Sequence, residues 1–229
     1  MKRIALLGLV VASFASPVFA ADMPIKAPMA APVPMFSWTG CYVGAQVGYG
    51  WGSGDHSFSN GAPSDSSKLT GWVGGGHLGC NYQFSKSFVI GAEGDYEAAN
   101  LNGSFVNATG GTSVGSVNMT SDGSLRARLG VAFDRSLLYA TGGWAFANFN
   151  IGGGPIPAPP CCGYSASQSG WTAGVGWEYA FTDHFTGRIE YRHADYGTAR
   201  GTLAPTFPGV TMPVRLTTDV VRTGLTYKF

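Results

Sequence analysis

Charge is scarce in this 229-residue chain: Asp, Glu, Lys and Arg together make up only 12% of it. With 13% aromatics beside so little charge, the chain is neither a disordered polymer nor an ordinary soluble enzyme in composition. The 14 basic and 13 acidic residues leave no basic stripe, which excludes a nucleic-acid partner. Long apolar runs are missing too. No stretch after the N-terminus reaches the roughly eighteen unbroken apolar residues that a transmembrane helix requires. Neither a Gly-x-Ser-x-Gly elbow nor a phosphate loop occurs, and His56, His77, His184 and His193 show no metal-ligand spacing. No catalytic residue, cofactor site or metal site is therefore assigned, and the expectation is a protein that is not an enzyme.

Glycine is abundant, at 35 residues. Residues 1–20 read as a secretory signal peptide: Lys2 and Arg3, an apolar run from Ile4 to Phe14, then Val18-Phe19-Ala20 before the cut. Loss of Lys2 and Arg3 leaves 12 basic against 13 acidic residues. Residues 21–36, with Pro24, Pro28, Pro32 and Pro34, read as an extended periplasmic tether. Residues 37–229 form the remaining domain.

That domain repeats. Tyr82-Gln83-Phe84, Val131-Ala132-Phe133, Tyr179-Ala180-Phe181 and Tyr227-Lys228-Phe229 recur at intervals of 49, 48 and 48 residues. A three-residue turn follows each of the first three: Ser85–Ser87, Asp134–Ser136 and Thr182–His184. Four hairpins give eight strands, beginning near Trp38 and ending at Phe229. Between the hairpin strands lie polar or Pro-rich stretches read as loops: Gly52–Lys68, Asn100–Thr120, Gly152–Ser165 and Gly197–Pro213.

Within the strands the alternation has period two. In the last one Val221, Thr223, Leu225, Tyr227 and Phe229 share a face, and Arg222, Gly224, Thr226 and Lys228 share the other. Charged residues fall almost wholly on the glycine face: Glu93, Asp95, Glu97, Arg126, Arg128, Glu178, Arg188, Glu190, Arg192 and Arg222. A soluble barrel would turn the apolar face inward, whereas a membrane barrel turns it to lipid. Aromatics at both strand ends and alternating short and long turns favour the membrane arrangement. The fold class is thus all-β: an eight-stranded antiparallel transmembrane barrel with short periplasmic turns and long extracellular loops.

Several stretches resemble the RopB-type small outer-membrane proteins of Alphaproteobacteria, within the OmpA/OmpX-like barrels. They are Trp38-Thr39-Gly40-Cys41-Tyr42-Val43-Gly44, Gly74 to Phe84, Arg126 to Arg135, and Tyr139-Ala140-Thr141-Gly142-Gly143. The resemblance implies a cell outer-membrane location and contact with outer-membrane lipid and lipopolysaccharide. It also implies that Tyr227 and Phe229 form the signal read by the barrel-assembly machinery. Unlike OmpA, the chain is expected to carry no peptidoglycan-binding domain after its last strand. Cys41 and Cys80 stand where that family usually has aromatics.

Five acidic and five basic lumen residues in a bore only wide enough for side chains read as a paired, sealed plug. The expected function is a non-enzymatic barrel contributing to envelope integrity and surface interactions. Two alternatives stay open: a small diffusion porin, or a haem or other ligand receptor using rim residues such as His56 and His193. Cys41 and Cys80 share the outward parity at similar heights on neighbouring strands, within disulfide reach if directly opposed. They either form that disulfide or remain two small apolar side chains facing lipid. Cys161 and Cys162 are adjacent, and their pairing is left open.

Overall fold

The computed structural model describes residues 36–56, 65–106, 113–155, 162–202 and 211–229. The expected signal peptide, and the expected tether apart from Phe36, lie outside the described residues. Eight strands follow one another: β1 (Gly40–His56), β2 (Asp65–Gln83), β3 (Phe88–Val106), β4 (Ser113–Phe133), β5 (Ser136–Pro155), β6 (Cys162–Ala180), β7 (Phe185–Thr202) and β8 (Thr211–Lys228). Each pairs antiparallel with its neighbour, and β1 pairs with β8 to close the barrel. Closure leaves no open sheet edge, the condition for placing a sheet in hydrocarbon.

The strands are 17 to 21 residues long, beyond the ~9–11 that span a bilayer. Much of each stretch expected as loop is instead strand: Gly52–His56, Asp65–Lys68, most of Asn100–Thr120, Gly152–Pro155 and Thr211–Pro213 continue the ladder. Pro155 sits at the end of β5, where one missing N–H costs little. Polar composition marks the exit from lipid, not the end of hydrogen bonding. At the opposite end, Asp134 and Arg135 alone link β4 to β5, and Ser136 already belongs to β5. Asp134 takes the positive φ of 53° that so tight a turn demands.

Inside the barrel three layers are stacked. The middle one holds the charged residues. Below it, toward the short turns, Phe36, Trp38, Val89, Ala132, Leu137, Tyr139 and Ala180 pack together. Sequence alternation starts the first strand near Trp38, but the strand begins at Gly40. Trp38 instead tucks under the barrel, 1% exposed, with its indole N–H donating to the Asp134 carbonyl at 3.2 Å. Above the charges, Leu69, Leu101, Met119, Phe149, Ile151, Tyr196, Val214 and Leu216 anchor a second apolar cluster.

Bulges mark the passage to this upper layer, between Ala98 and Leu101, Met119 and Ser121, and Asp195 and Thr198. On β4 the bulge changes which parity faces in: Asp122 and Ser124 below it, Met119 and Val117 above it. Around the outside, Trp72, Leu78, Leu125, Leu129, Trp144 and Val175 are all more than half exposed, as a lipid-facing belt must be.

Candidate functional site: the charged lumen

Successive inward residues on a strand are two apart, so β3 aims Glu93, Asp95 and Glu97 at the axis one above another. Register supplies their partners. Glu93 lies directly opposite Arg126 on β4, Glu178 on β6 opposite Arg188 on β7, and Glu190 on β7 opposite Arg222 on β8. The two halves then meet across the bore. Arg126 donates to Glu93 at 2.7 Å, to Asp95 at 3.0 Å and to Glu190 on the far wall at 2.6 Å.

Arg222 reaches Glu190 at 2.7 Å, Glu97 at 3.2 Å and Asp95 at 3.3 Å. Arg188 pairs with Glu93 at 2.6 Å and also donates to the Gln46 amide oxygen. Arg192 pairs with Asp95 at 3.3 Å and with Asp122. Arg128 pairs with Glu178, lies 3.6 Å from Glu93, and stacks its guanidinium 3.7 Å from the centre of the Tyr139 ring. All ten charged residues picked out by parity meet in this one network, and none of their side chains is more than 4% exposed.

Some members carry little signal in the sequence. Asp122 makes a sixth buried carboxylate; it accepts from Tyr196 Oη at 2.9 Å as well as from Arg192. Tyr42 donates to Glu93 at 2.8 Å, Tyr139 to Glu190 at 2.9 Å, Gln46 to Glu97 at 2.7 Å and Ser124 to Asp95 at 2.5 Å. These donors occupy carboxylate lone pairs that the arginines leave free, which lowers the cost of burying charge. Glycine makes the room. A Cβ on Gly79 would come within 2.6 Å of Tyr42 Oη, and one on Gly176 within 2.5 Å of Tyr139 Oη.

The remaining sequence candidates lie elsewhere. Tyr227 faces outward opposite Phe185, with Phe229 beyond it, their rings 5.4 Å apart. Cys41 and Cys80 are directly opposed in the β1–β2 register and joined as a disulfide on the outer face, with Cα atoms 3.9 Å apart. Of the two outcomes open in the sequence, the structure therefore has the bridge. Cys161 and the side chains of Cys162 and His56 lie outside the described residues. His77 points inward onto Thr226 at 2.9 Å, whereas His193 is on the outside, 2.8 Å from Asp219. Among the described residues no three His, Cys, Asp or Glu side chains are grouped to hold a metal ion. Chemically the lumen is a buried network of paired charges, in which Glu97 Oε2 and the Nε atoms of Arg126, Arg128, Arg188 and Arg192 make no hydrogen bond.

Known proteins agree with this architecture. The outer membrane protein beta-barrel domain matches residues 9–229. The 31 kDa outer-membrane immunogenic protein of Brucella melitensis is 34% identical, with 100% of both chains covered. The 25 kDa outer-membrane immunogenic protein of Brucella abortus is 32% identical over 100% of this chain and 99% of its own. A 22 kDa outer membrane protein of Rhizobium leguminosarum is 30% identical over 77% of this chain and 70% of its own. Among solved structures, the Escherichia coli outer membrane protease OmpT superposes with a TM-score of 0.51 at 10% identity, covering 86% of this chain and 99% of that one. At that identity the likeness is one of fold alone. The chain is an outer-membrane protein and belongs to the outer membrane protein beta-barrel domain family.

Proposed function

We propose that this protein is a non-enzymatic, sealed barrel that strengthens the outer membrane and offers its extracellular ribbons for contact with other molecules. The observation that carries the reading is the filled bore: a charge network bridging opposite walls, with an apolar cluster above it and a Trp38-centred cluster below it. Such a stack favours rigidity over passage, and it supports a structural role in preference to a porin. The Brucella and Rhizobium relatives are named as outer-membrane proteins, without a reaction. Outer-membrane lipid and lipopolysaccharide are the expected surroundings. Tyr227 and Phe229 are proposed as the mark recognised by the assembly machinery, and a cleaved leader as the route of export.

The test is single-channel recording in planar bilayers. The sealed reading expects no steady conductance above the leak of protein-free membrane. Sustained openings from the unmutated protein would replace it with the porin reading. Titrating haem into the same sample and following its Soret absorption checks the receptor reading, which a saturable shift would support.

A further inference from the structure

Above the membrane the outside of the barrel has two unlike halves. On β7, β8, β1 and β2 the outward residues include Asp195, Arg200, Arg215, Asp219, Asp55 and Lys68, with Arg215 paired to Asp195 at 2.7 Å. On β3 to β6 the described outward residues above the bulges carry no charge. There the registers set Asn102, Asn118, Asn150 and Ser165 side by side across four strands, a row of amides and hydroxyls. Asn148 and Ser167 form part of the next row down. Side chains within these rows already order one another: Ser165 donates to Asn150 at 2.8 Å, Ser167 to Asn148 at 2.7 Å and Asn148 to Ser121 at 2.8 Å. The Asn118 amide has no hydrogen-bond partner among the described residues. A polar groove of about 370 Å³ runs over Asn118, Asn150 and Ser165, with Tyr164 in its wall. Behind it Met119, Phe149 and Ile151 are fully packed, which holds the sheet rigid.

We infer that this charge-free face docks the neutral sugar units of the surrounding outer-leaflet glycolipid. Three observations lead there. A face with no charge gives no Coulombic attraction to an ionic ligand, so affinity must come from hydrogen bonds and shape. Amides paired with hydroxyls supply both donors and acceptors, which matches the vicinal hydroxyls of a sugar. The face is also continuous with the lipid belt: outward on β5 the order is Leu138, Ala140, Gly142, Trp144, Phe146, Asn148, Asn150, so the row begins just above the interfacial aromatics. A glycolipid anchored beside Trp144 would raise its sugars along this face. The inference rests on the surface-contact part of the proposed function and not on the sealed bore, so an open bore would leave it standing.

The experiment places the full barrel in lipid nanodiscs and follows backbone amides by NMR. The probe is lipid-free neutral oligosaccharide released from lipopolysaccharide. Saturable shifts are expected in the upper parts of β4, β5 and β6, little changed by salt. Asn118→Lys with Asn150→Lys should weaken binding about tenfold by removing hydrogen-bonding amides. Arg215→Gln, on the charged half, should leave it unchanged. A gel-shift assay confirms that each variant is folded. Shifts confined to Lys68 and Arg215 when lipid A alone is added, with none from the neutral oligosaccharide, would overturn the inference. So would concentration-dependent self-association that broadens β3 to β6, which would make the face an interface between copies.

Discussion

Replacing Arg126 with Met tests whether the lumen network stabilises the barrel. Arg126, on β4, pairs with Glu93 and Asp95 on β3 and with Glu190 on β7, and so spans the bore with three ion pairs. Met keeps most of the side-chain volume, so the loss is of charge and hydrogen bonds more than of packing. Breaking a buried pair by removing one partner costs about 3–5 kcal/mol. Three such pairs are lost, but the cost should not triple. Glu93 keeps Arg188, Asp95 keeps Arg192 and Arg222, and Glu190 keeps Arg222. The expected loss therefore stays within about 3–5 kcal/mol. Arg135→Met is the control, because its pair with Asp183 is solvent-exposed and worth at most about 1 kcal/mol. Adding Glu190→Gln to Arg126→Met should cost less than the sum of the two single changes, since the residues touch. Urea unfolding in lipid vesicles, read by tryptophan fluorescence and gel shift, gives all four values. If Arg126→Met fell within 1 kcal/mol of the unmutated protein, or cost no more than Arg135→Met, the network would not be a stabilising brace.

Val175→Arg, at a lipid-facing site on β6, should cost about 2–4 kcal/mol in the same assay, and a lipid-confined label should mark Val175 while sparing buried Thr172. Trp38→Ala should lower stability by about 3 kcal/mol by emptying the lower layer, and hydrogen exchange should quicken at the β4–β5 turn that its indole holds. Cys41→Ser should remove a cross-link closing 39 residues of chain, a loss of at most about 4 kcal/mol, and mass spectrometry of unreduced, alkylated protein should recover the Cys41–Cys80 peptide from the unmutated barrel.

The part of the fold inside the bilayer was legible because two solvents act on one strand with period two. Lipid demands apolar side chains at Val175 and Trp177, the packed bore demands glycine or paired charge at Gly176 and Glu178, and neither pattern drifts along the strand. That strict parity was enough to collect all ten lumen charges from sequence. Asp122 escaped: it shares the inward parity of Arg126 and Arg128, but it borders the Asn100–Thr120 stretch that reads as a loop, so the alternation is not followed that far up the strand. Trp38 escaped for another reason: burial under the barrel depends on the chain turning at Gly40, whose φ of 142° is not visible in an alternation.

In sequence the extended ribbons look like loops because the meaning of the alternation reverses at the membrane surface. On β5, Leu138 and Trp144 face outward to lipid, but beyond Phe146 it is Asn148 and Asn150 that face outward while Phe149 and Ile151 turn in. The strand continues without a break, and each residue keeps the parity of its position. What changes is the solvent outside, from hydrocarbon to water, and with it which face must be apolar. A single polarity rule for the whole strand loses its pattern at Asn148, a few residues before the Pro-rich Gly152–Ser165 stretch that reads as a loop. Allowing the rule to invert at the aromatic belt carries β5 through Asn150 and Ile151 toward its end at Pro155, and it exposes the uncharged amide row as an outer face.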